Sequence, residues 1–208
     1  VGTMEVAEAD LNYQPPKRAL QSPASSDVKD AVNLLLNAKK PVIWAGMGVL
    51  FAEASPELTE FAELTEIPVY CTMPGKSAFD DRHPLALGSG SASTSLPARK
   101  WLQESDVLFA VGSSMTRTGY GQPIPGGKVI IQNVESIEDI NKDFSVDVGL
   151  PGDAKLTLQA LVDEVKSQLG ANGRKGQSNV AKEIADLHDA WMGEWTDILN
   201  SEDVPINT

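Results

Sequence analysis

Two glycines one residue apart, Gly46-Met-Gly48, follow the apolar run Val42-Ile-Trp-Ala45 and are the residues of this 208-residue chain best suited to meeting a ligand. A glycine turn at the end of a buried strand lets a phosphate approach the main chain, and Gly46-Met-Gly48 begins a G-x-G-x-x-G fingerprint. Position 51 is Phe where the third glycine belongs, and Cys71-Thr72 stands where a ribose-binding acid would close the next strand. Two readings stand side by side: an NAD-type cradle, or a tight strand-to-helix turn that simply needs small residues. Arg117, in Ser113-Ser-Met-Thr-Arg117 after a later strand, would meet an anionic ligand at the same crevice; its alternative is an ordinary loop arginine. Gly46, Gly48 and Arg117 are therefore the candidate cofactor-binding residues.

The remaining reactive side chains carry less. Ser113 and Ser114 lack the strand-turn-helix G-x-S-x-G setting of a nucleophile. His83, His188 and the single Cys71 lie far apart and form no metal cluster at recognised spacing, so each histidine reads as structural. Glu60, Glu63 and Glu66 step by three and read as a solvated helix face. No catalytic or metal-binding residue is assigned.

The elements that must position the glycines are legible from periodicity. Pro41 suits the first residue of a strand, and Val42–Ala45 is an apolar run of the kind buried on both faces of a parallel sheet. Val28, Ala31, Val32 and Leu35 repeat at helical spacing upstream, with Ser25-Ser26-Asp27 as N-cap candidates for a helix at roughly 27–38. Ser55-Pro56 opens a second helix, Ser55 as N-cap and Pro56 in the first turn, through Leu58, Phe61, Ala62 and Leu64. Val69–Thr72 is a short strand closed by Met73-Pro-Gly75. Residues 76–95 read as irregular, and Pro97–Glu104 as a short helix. Asp106-Val-Leu-Phe-Ala-Val-Gly112 repeats the theme of an apolar strand ending in glycine. Lys128–Gln132 and, more weakly, Val146–Val148 are further strands. Leu158, Leu161, Val162, Val165 and Leu169 mark an amphipathic helix. After the polar, glycine-rich stretch 170–178 comes a last helix with an apolar stripe of Val180, Ile184, Leu187, Trp191, Trp195 and Ile198.

Strands alternating with helices predict an α/β fold: a doubly wound, mostly parallel sheet of about five or six strands with helices on both faces, Rossmann-like. Residues 25–170 form that domain. Residues 1–24, with Pro15, Pro16 and Pro23, read as a linker from a preceding domain, and 171–208 as a linker and amphipathic helix leading to a following one. The charge of −12, from 17 basic and 29 acidic residues, argues against nucleic acid and anionic membrane as partners. No apolar run reaches the length of about 18 residues that spans a bilayer, no signal pattern opens the chain, and one cysteine makes no disulfide framework. An intracellular, cytoplasmic protein is expected.

The ordered series Lys40-Pro-Val-Ile-Trp-Ala-Gly-Met-Gly48, Glu57-Leu-Thr-Glu-Phe-Ala-Glu63, Ile67-Pro-Val-Tyr-Cys-Thr72, Gly75-Lys76, His83-Pro-Leu-Ala-Leu-Gly88, Ser105-Asp-Val-Leu-Phe-Ala-Val-Gly112 and Gly152-Asp153 resembles the central domain of thiamine-diphosphate-dependent enzymes of the acetolactate synthase and 2-oxoacid decarboxylase group. The resemblance covers about residues 27–169. Val1–Asp10 resembles the exit from that family's pyrimidine-binding domain, and Pro205-Ile-Asn207 the entry into its diphosphate-binding domain. It implies a parent enzyme whose thiamine diphosphate and Mg²⁺ are bound outside this chain, between those two neighbouring domains. It also implies a homo-oligomer, and a fragment inactive by itself.

In the family the central domain binds FAD in acetolactate synthases and an ADP moiety in oxalyl-CoA decarboxylases. Both show Gly-Ala-Arg where this chain has Gly112-Ser-Ser114, and Ile-Asp is usual where Gln132-Asn133 stands. Gly152-Asp153-Ala154 followed by Asn179 is similar to the family's metal motif, but the third residue is Ala, and Asp153 reads better as the N-cap or first-turn acid of the helix at 153–169. Two function classes remain open: a scaffold domain of a carboligase or decarboxylase, and a nucleotide-binding (FAD, ADP or NAD) module using the Gly46–Gly48 turn and Arg117.

Overall fold

The structure, a computed structural model, describes residues 14–203 except 16, 18 and 92. The stretches Val1–Asp10 and Pro205–Asn207 lie outside the described residues. In chain order the elements are α1 (Ser25–Asn37), β1 (Pro41–Ala45), α2 (Gly48–Phe51), α3 (Ser55–Thr65), β2 (Val69–Thr72), β3 (Ala86–Gly90), α4 (Leu96–Glu104), β4 (Val107–Val111), β5 (Val129–Val134), β6 (Val148–Pro151), α5 (Ala154–Leu169) and α6 (Val180–Leu199). The six strands form one sheet in the order β3-β2-β1-β4-β5-β6, every neighbouring pair parallel. The doubly wound expectation therefore holds.

Strand side chains alternate between two apolar layers. Ile43, Cys71, Phe109, Ile131 and Leu150 face a core closed by α1, α3 and α5. Val42, Trp44, Tyr70, Leu108 and Ile130 face a second core with Trp101 and Leu102 of α4 and Ile184 of α6. Both faces are covered, which is why β1 and β4 read as continuous apolar runs. Trp101 is tied in place by its indole N–H, which donates to Pro41 O at 3.1 Å.

Four local expectations change. Residues 86–90 are a strand, paired with β2 at the sheet edge, although Gly88, Ser89 and Gly90 have little strand propensity; Ser95 Oγ donates to Leu87 O on that edge. The last strand begins at Val148, not Val146, because pairing with Ile131–Val134 decides its register. The N-caps of α1 and α3 are Ala24 and Ala54, without side-chain capping bonds, so Ser25 and Ser55 begin their helices rather than cap them. Glu60, Glu63 and Glu66 are also more than a solvated face. Lys166 of α5 pairs with Glu60 at 2.6 Å, Lys175 pairs with Glu63 at 2.7 Å, and Gly176 N–H donates to Glu66 Oε1 at 2.6 Å.

Those last contacts strap the segment 173–177 onto the sheet domain, helped by Arg174, whose N–H donates to Leu64 O and whose guanidinium donates to Leu36 O. At the other end Gln21 O accepts the Asp153 N–H at 2.9 Å. Asp153 itself caps α5, its Oδ1 accepting from the amides of Lys155 and Leu156 at 2.9 and 3.1 Å, and it is buried. Asp153→Ala is expected to remove at least about 1 kcal/mol, lowering the melting temperature by roughly 2–4 °C. An unchanged melting curve would show that those amides find other partners.

The final helix is only half covered. Ile184 is buried against α4, and Lys40 clamps the two helices through Glu104 at 2.7 Å and Glu183 at 2.5 Å while lying 4.3 Å over the Trp101 ring. Burial would lower the Lys40 pKa, but the two carboxylates outweigh it and raise it; the Lys40 ammonium holds Glu104 below its usual range. Beyond that clamp, Trp195, Ile198 and Leu199 are exposed.

Candidate functional site: the crevice at the carboxyl ends of β1 and β4

In this strand order β1 leads outward to β2 on one side and borders β4 on the other, so the topological switch lies between β1 and β4. Gly46 and Gly48 leave β1 at that point and Gly112 and Ser113 leave β4. The structure brings these four together. Gly46 N–H donates to Val111 O at 2.9 Å and Gly48 N–H to Gly112 O at 2.8 Å, extending the β1–β4 ladder past the sheet. A Cβ on Gly48 would lie 2.8 Å from Gly112 Cα, and one on Gly46 would strike Gly112 O. Gly112 has φ +60°, and a Cβ there would lie 2.5 Å from Val49 N. Gly75, after β2, would press on Ala45 O at 2.6 Å. The glycines at this edge are therefore needed for main chain to meet main chain.

Gly48→Val is expected to lower the melting temperature by several degrees, because a branched side chain must push the Gly112 backbone aside at a cost of about 1 kcal/mol or more. An unchanged melting temperature would place the tight approach elsewhere.

Arg117 does not join the glycines through any hydrogen bond. Its backbone N–H donates to Asp143 Oδ2 at 2.8 Å and its guanidinium stacks 4.6 Å over the Phe144 ring, in the β5–β6 connection. Ser113 Oγ accepts the Met115 N–H at 3.2 Å, and the Ser114 and Thr116 hydroxyls bond each other at 3.0 Å. Thr72 Oγ accepts the Gly75 N–H at 3.1 Å, closing the turn after β2. Burial pushes the Cys71 thiol up to about 11 and the Tyr70 hydroxyl up to about 12, so neither is a nucleophile at neutral pH.

The residues that most shape this edge are Gln132 and Asn133, which stand where Ile-Asp is usual in the family. Both are buried. Asn133 Oδ1 accepts the Gly112 N–H at 3.1 Å, while its amide donates toward Leu150 O at 2.9 Å, Thr157 Oγ1 at 2.9 Å and Gly152 O at 3.1 Å. Asn133 O accepts the Ser113 N–H at 3.3 Å. Gln132 Nε2 donates to Ser113 O at 3.1 Å and Asp139 O at 3.3 Å. One pair of amides thus ties the ends of β4, β5 and β6 to the start of α5. A signal existed: two amides ending the apolar run Val129–Ile131 in a parallel strand must find partners indoors.

Elsewhere the histidines have plain roles. His83 Nδ1 accepts the Leu85 N–H at 3.1 Å and its ring meets Phe79 edge-on at 4.8 Å; His188 is more than half exposed beside Trp191. Among the described residues no group of His, Cys, Asp or Glu could hold a metal ion. Asp153 heads α5 on one face of the sheet, whereas Asn179 precedes α6, which packs on the other. The motif that would pair them around a cation is not assembled, and the described residues do not fit thiamine diphosphate with its metal.

The family described as "Thiamine pyrophosphate enzyme, central domain" matches residues 28–161. The chain is 32% identical over 184 residues to a protein named probable acetolactate synthase large subunit from Methanococcus aeolicus, covering 86% of this chain and 30% of that protein. It is 34% identical over 173 residues to the acetolactate synthase large subunit of Corynebacterium glutamicum, covering 78% and 28%. It is also 33% identical over 180 residues to a 3D-(3,5/4)-trihydroxycyclohexane-1,2-dione hydrolase of Bacillus cereus, covering 86% and 27%. The crystal structure of benzoylformate decarboxylase from Polynucleobacter necessarius shares the fold, with a TM-score of 0.62 and 20% identity over 85% of this chain and 32% of that one. The chain thus spans less than a third of the length of these relatives. Six parallel strands in doubly wound order, read together with these matches, make this chain a member of the thiamine pyrophosphate enzyme central-domain family.

Proposed function

We propose that this chain serves as the scaffold domain of a cytoplasmic, thiamine-diphosphate-dependent carboligase or decarboxylase, a transferase or lyase acting on 2-oxo acids. Thiamine diphosphate and Mg²⁺ are held outside it, by pyrimidine-binding and diphosphate-binding domains of the parent protein. The observation that carries this reading is the commitment of the polar groups at the carboxyl edge of the sheet: the amides of Gly46, Gly48 and Gly112 and the side chains of Gln132 and Asn133 are spent on holding strand ends together. A rigid sheet with both faces covered is suited to setting the spacing of its neighbours.

Calorimetry and pyruvate turnover test the reading. The 208-residue chain should neither bind thiamine diphosphate with Mg²⁺ nor consume pyruvate, whereas the full-length protein from the same gene should bind the cofactor. Micromolar binding by the chain itself, abolished by Asp153→Ala, would return the metal motif to the site and overturn the proposal.

The half-covered α6 supports a further part of the reading, a homo-oligomer. Trp195, Ile198 and Leu199 lie exposed on one helix, and burying each such side chain stabilises by about 1.5–3 kcal/mol. The chain is expected to run as a dimer by light scattering, since isologous pairing lets one patch serve both copies. A version ending at Ser178, which keeps the 173–177 strap, should run as a monomer. If each runs at its own monomer mass, the pairing is refuted.

A further inference from the structure

We infer that the crevice between β1 and β4 is sealed by its own main chain, with Asn133 as the bolt, and that this domain holds no FAD, ADP or NAD there. The inference rests on the central-domain reading for the ligands to be considered, and on the geometry for the answer.

A dinucleotide bound at a switch point uses free backbone N–H groups of the glycine turn for its pyrophosphate and an acid at a strand end for its ribose. Here Gly46 N–H and Gly48 N–H are bonded to Val111 O and Gly112 O, and Gly112 N–H and Ser113 N–H are bonded to the side chain and carbonyl of Asn133. At Gly46, Gly48 and Gly112 themselves no space is left for a phosphate, because the place beside each is already occupied by neighbouring backbone within 3 Å. At the end of β2, Thr72 Oγ is engaged by the Gly75 N–H. At the end of β5 the position suited to an acid is the fully buried Asn133, and an aspartate there could not donate to Leu150 O and Gly152 O.

Charge argues the same way. The connection after β5 carries Glu138, Asp139 and Asp143, with Lys142 paired to Asp139 at 3.1 Å. Arg117, the cation nearest in sequence to the β4 end, stacks on Phe144 and bonds Asp143 through its N–H. On this side of the crevice three carboxylates, Glu138, Asp139 and Asp143, stand against two cations, Lys142 and Arg117.

Two measurements test this. Titrating the 208-residue chain with FAD, ADP and NAD to about 1 mM should give no saturable flavin quenching, no one-to-one calorimetric isotherm and no rise in melting temperature. Hydrogen exchange should find the amides of Gly46, Gly48, Gly112 and Ser113 protected to the degree of the central strands β1 and β4. Saturable one-per-chain binding of any of the three nucleotides overturns the inference, as does exchange of those amides as fast as that of the exposed loop 118–122. A full-length protein purified with flavin on this domain would overturn it as well, while leaving the scaffold reading intact; thiamine diphosphate binding by the isolated chain, with no nucleotide bound, would do the reverse.

Discussion

Replacing Asn133 by aspartate is expected to cost this domain most of its stability margin, with a fall in melting temperature of roughly 10 °C at neutral pH. The amide is wholly buried and donates toward Leu150 O, Gly152 O and Thr157 Oγ1. A carboxylate there faces two carbonyls it cannot donate to, and each buried polar group left unsatisfied costs about 1–3 kcal/mol. A total of about 3–5 kcal/mol, at roughly 2–4 °C per kcal/mol for a chain of this size, gives the stated shift.

The pH dependence has a definite sign. Burial raises the folded-state pKa of the introduced carboxyl above its unfolded value of about 3.9. Below that value both states are protonated and the charge penalty vanishes; as pH rises through about 4 the unfolded state releases its proton first and stability falls. The deficit relative to the parent chain should therefore be larger at pH 7 than at pH 4, whereas Asn133→Ala should show a deficit that hardly changes with pH. Thermal melts of the three proteins at both pH values decide it. Equal deficits for Asn133→Asp at pH 4 and 7 would rule out the buried charge as their cause.

Gly112→Val is expected to be at least as damaging, and for a different reason. At φ +60° a β-branched residue is strained, and its Cβ would stand 2.5 Å from Val49 N and 2.8 Å from Gly48 C. Neither neighbour is a flexible side chain that can swing away; both belong to the turn that closes the crevice. The variant should fail to give a cooperative melt or should melt at least roughly 10 °C lower. Gly127 supplies the control, having φ +82° with nothing within 4 Å of a built Cβ. Gly127→Ala carries the backbone strain alone, about 1 kcal/mol, and should shift the melt by only a few degrees. If Gly112→Ala and Gly127→Ala shift it equally, main-chain crowding is not what the glycine at 112 relieves.

Much of this is legible in the sequence alone, and for one reason. Runs such as Val42–Ala45 and Val107–Val111 announce strands buried on both faces, and the helical spacings through Val28–Leu35, Leu58–Leu64 and Leu158–Leu169 announce the helices that cover them. Hydrophobic period is a local property, so the alternation of strands and helices, the glycine turn after β1 and Asp153 as the head of α5 all follow from neighbours in the chain. What escaped was set by partners far away in sequence. Ala86–Gly90 is a strand because β2 offers it a ladder, not because its residues favour one. Glu60, Glu63 and Glu66 look solvated until α5 and the 173–177 strap arrive beside them. The choice between a nucleotide cradle and a backbone-packing turn was open at Gly46 and Gly48, since both need the same small residues. Only tertiary structure shows where their amides point: to Val111 O and Gly112 O, with Asn133 reaching from β5 to β4, β6 and α5. A hydrogen-bond partner is a fact of three-dimensional position, and no period or spacing along a chain encodes it.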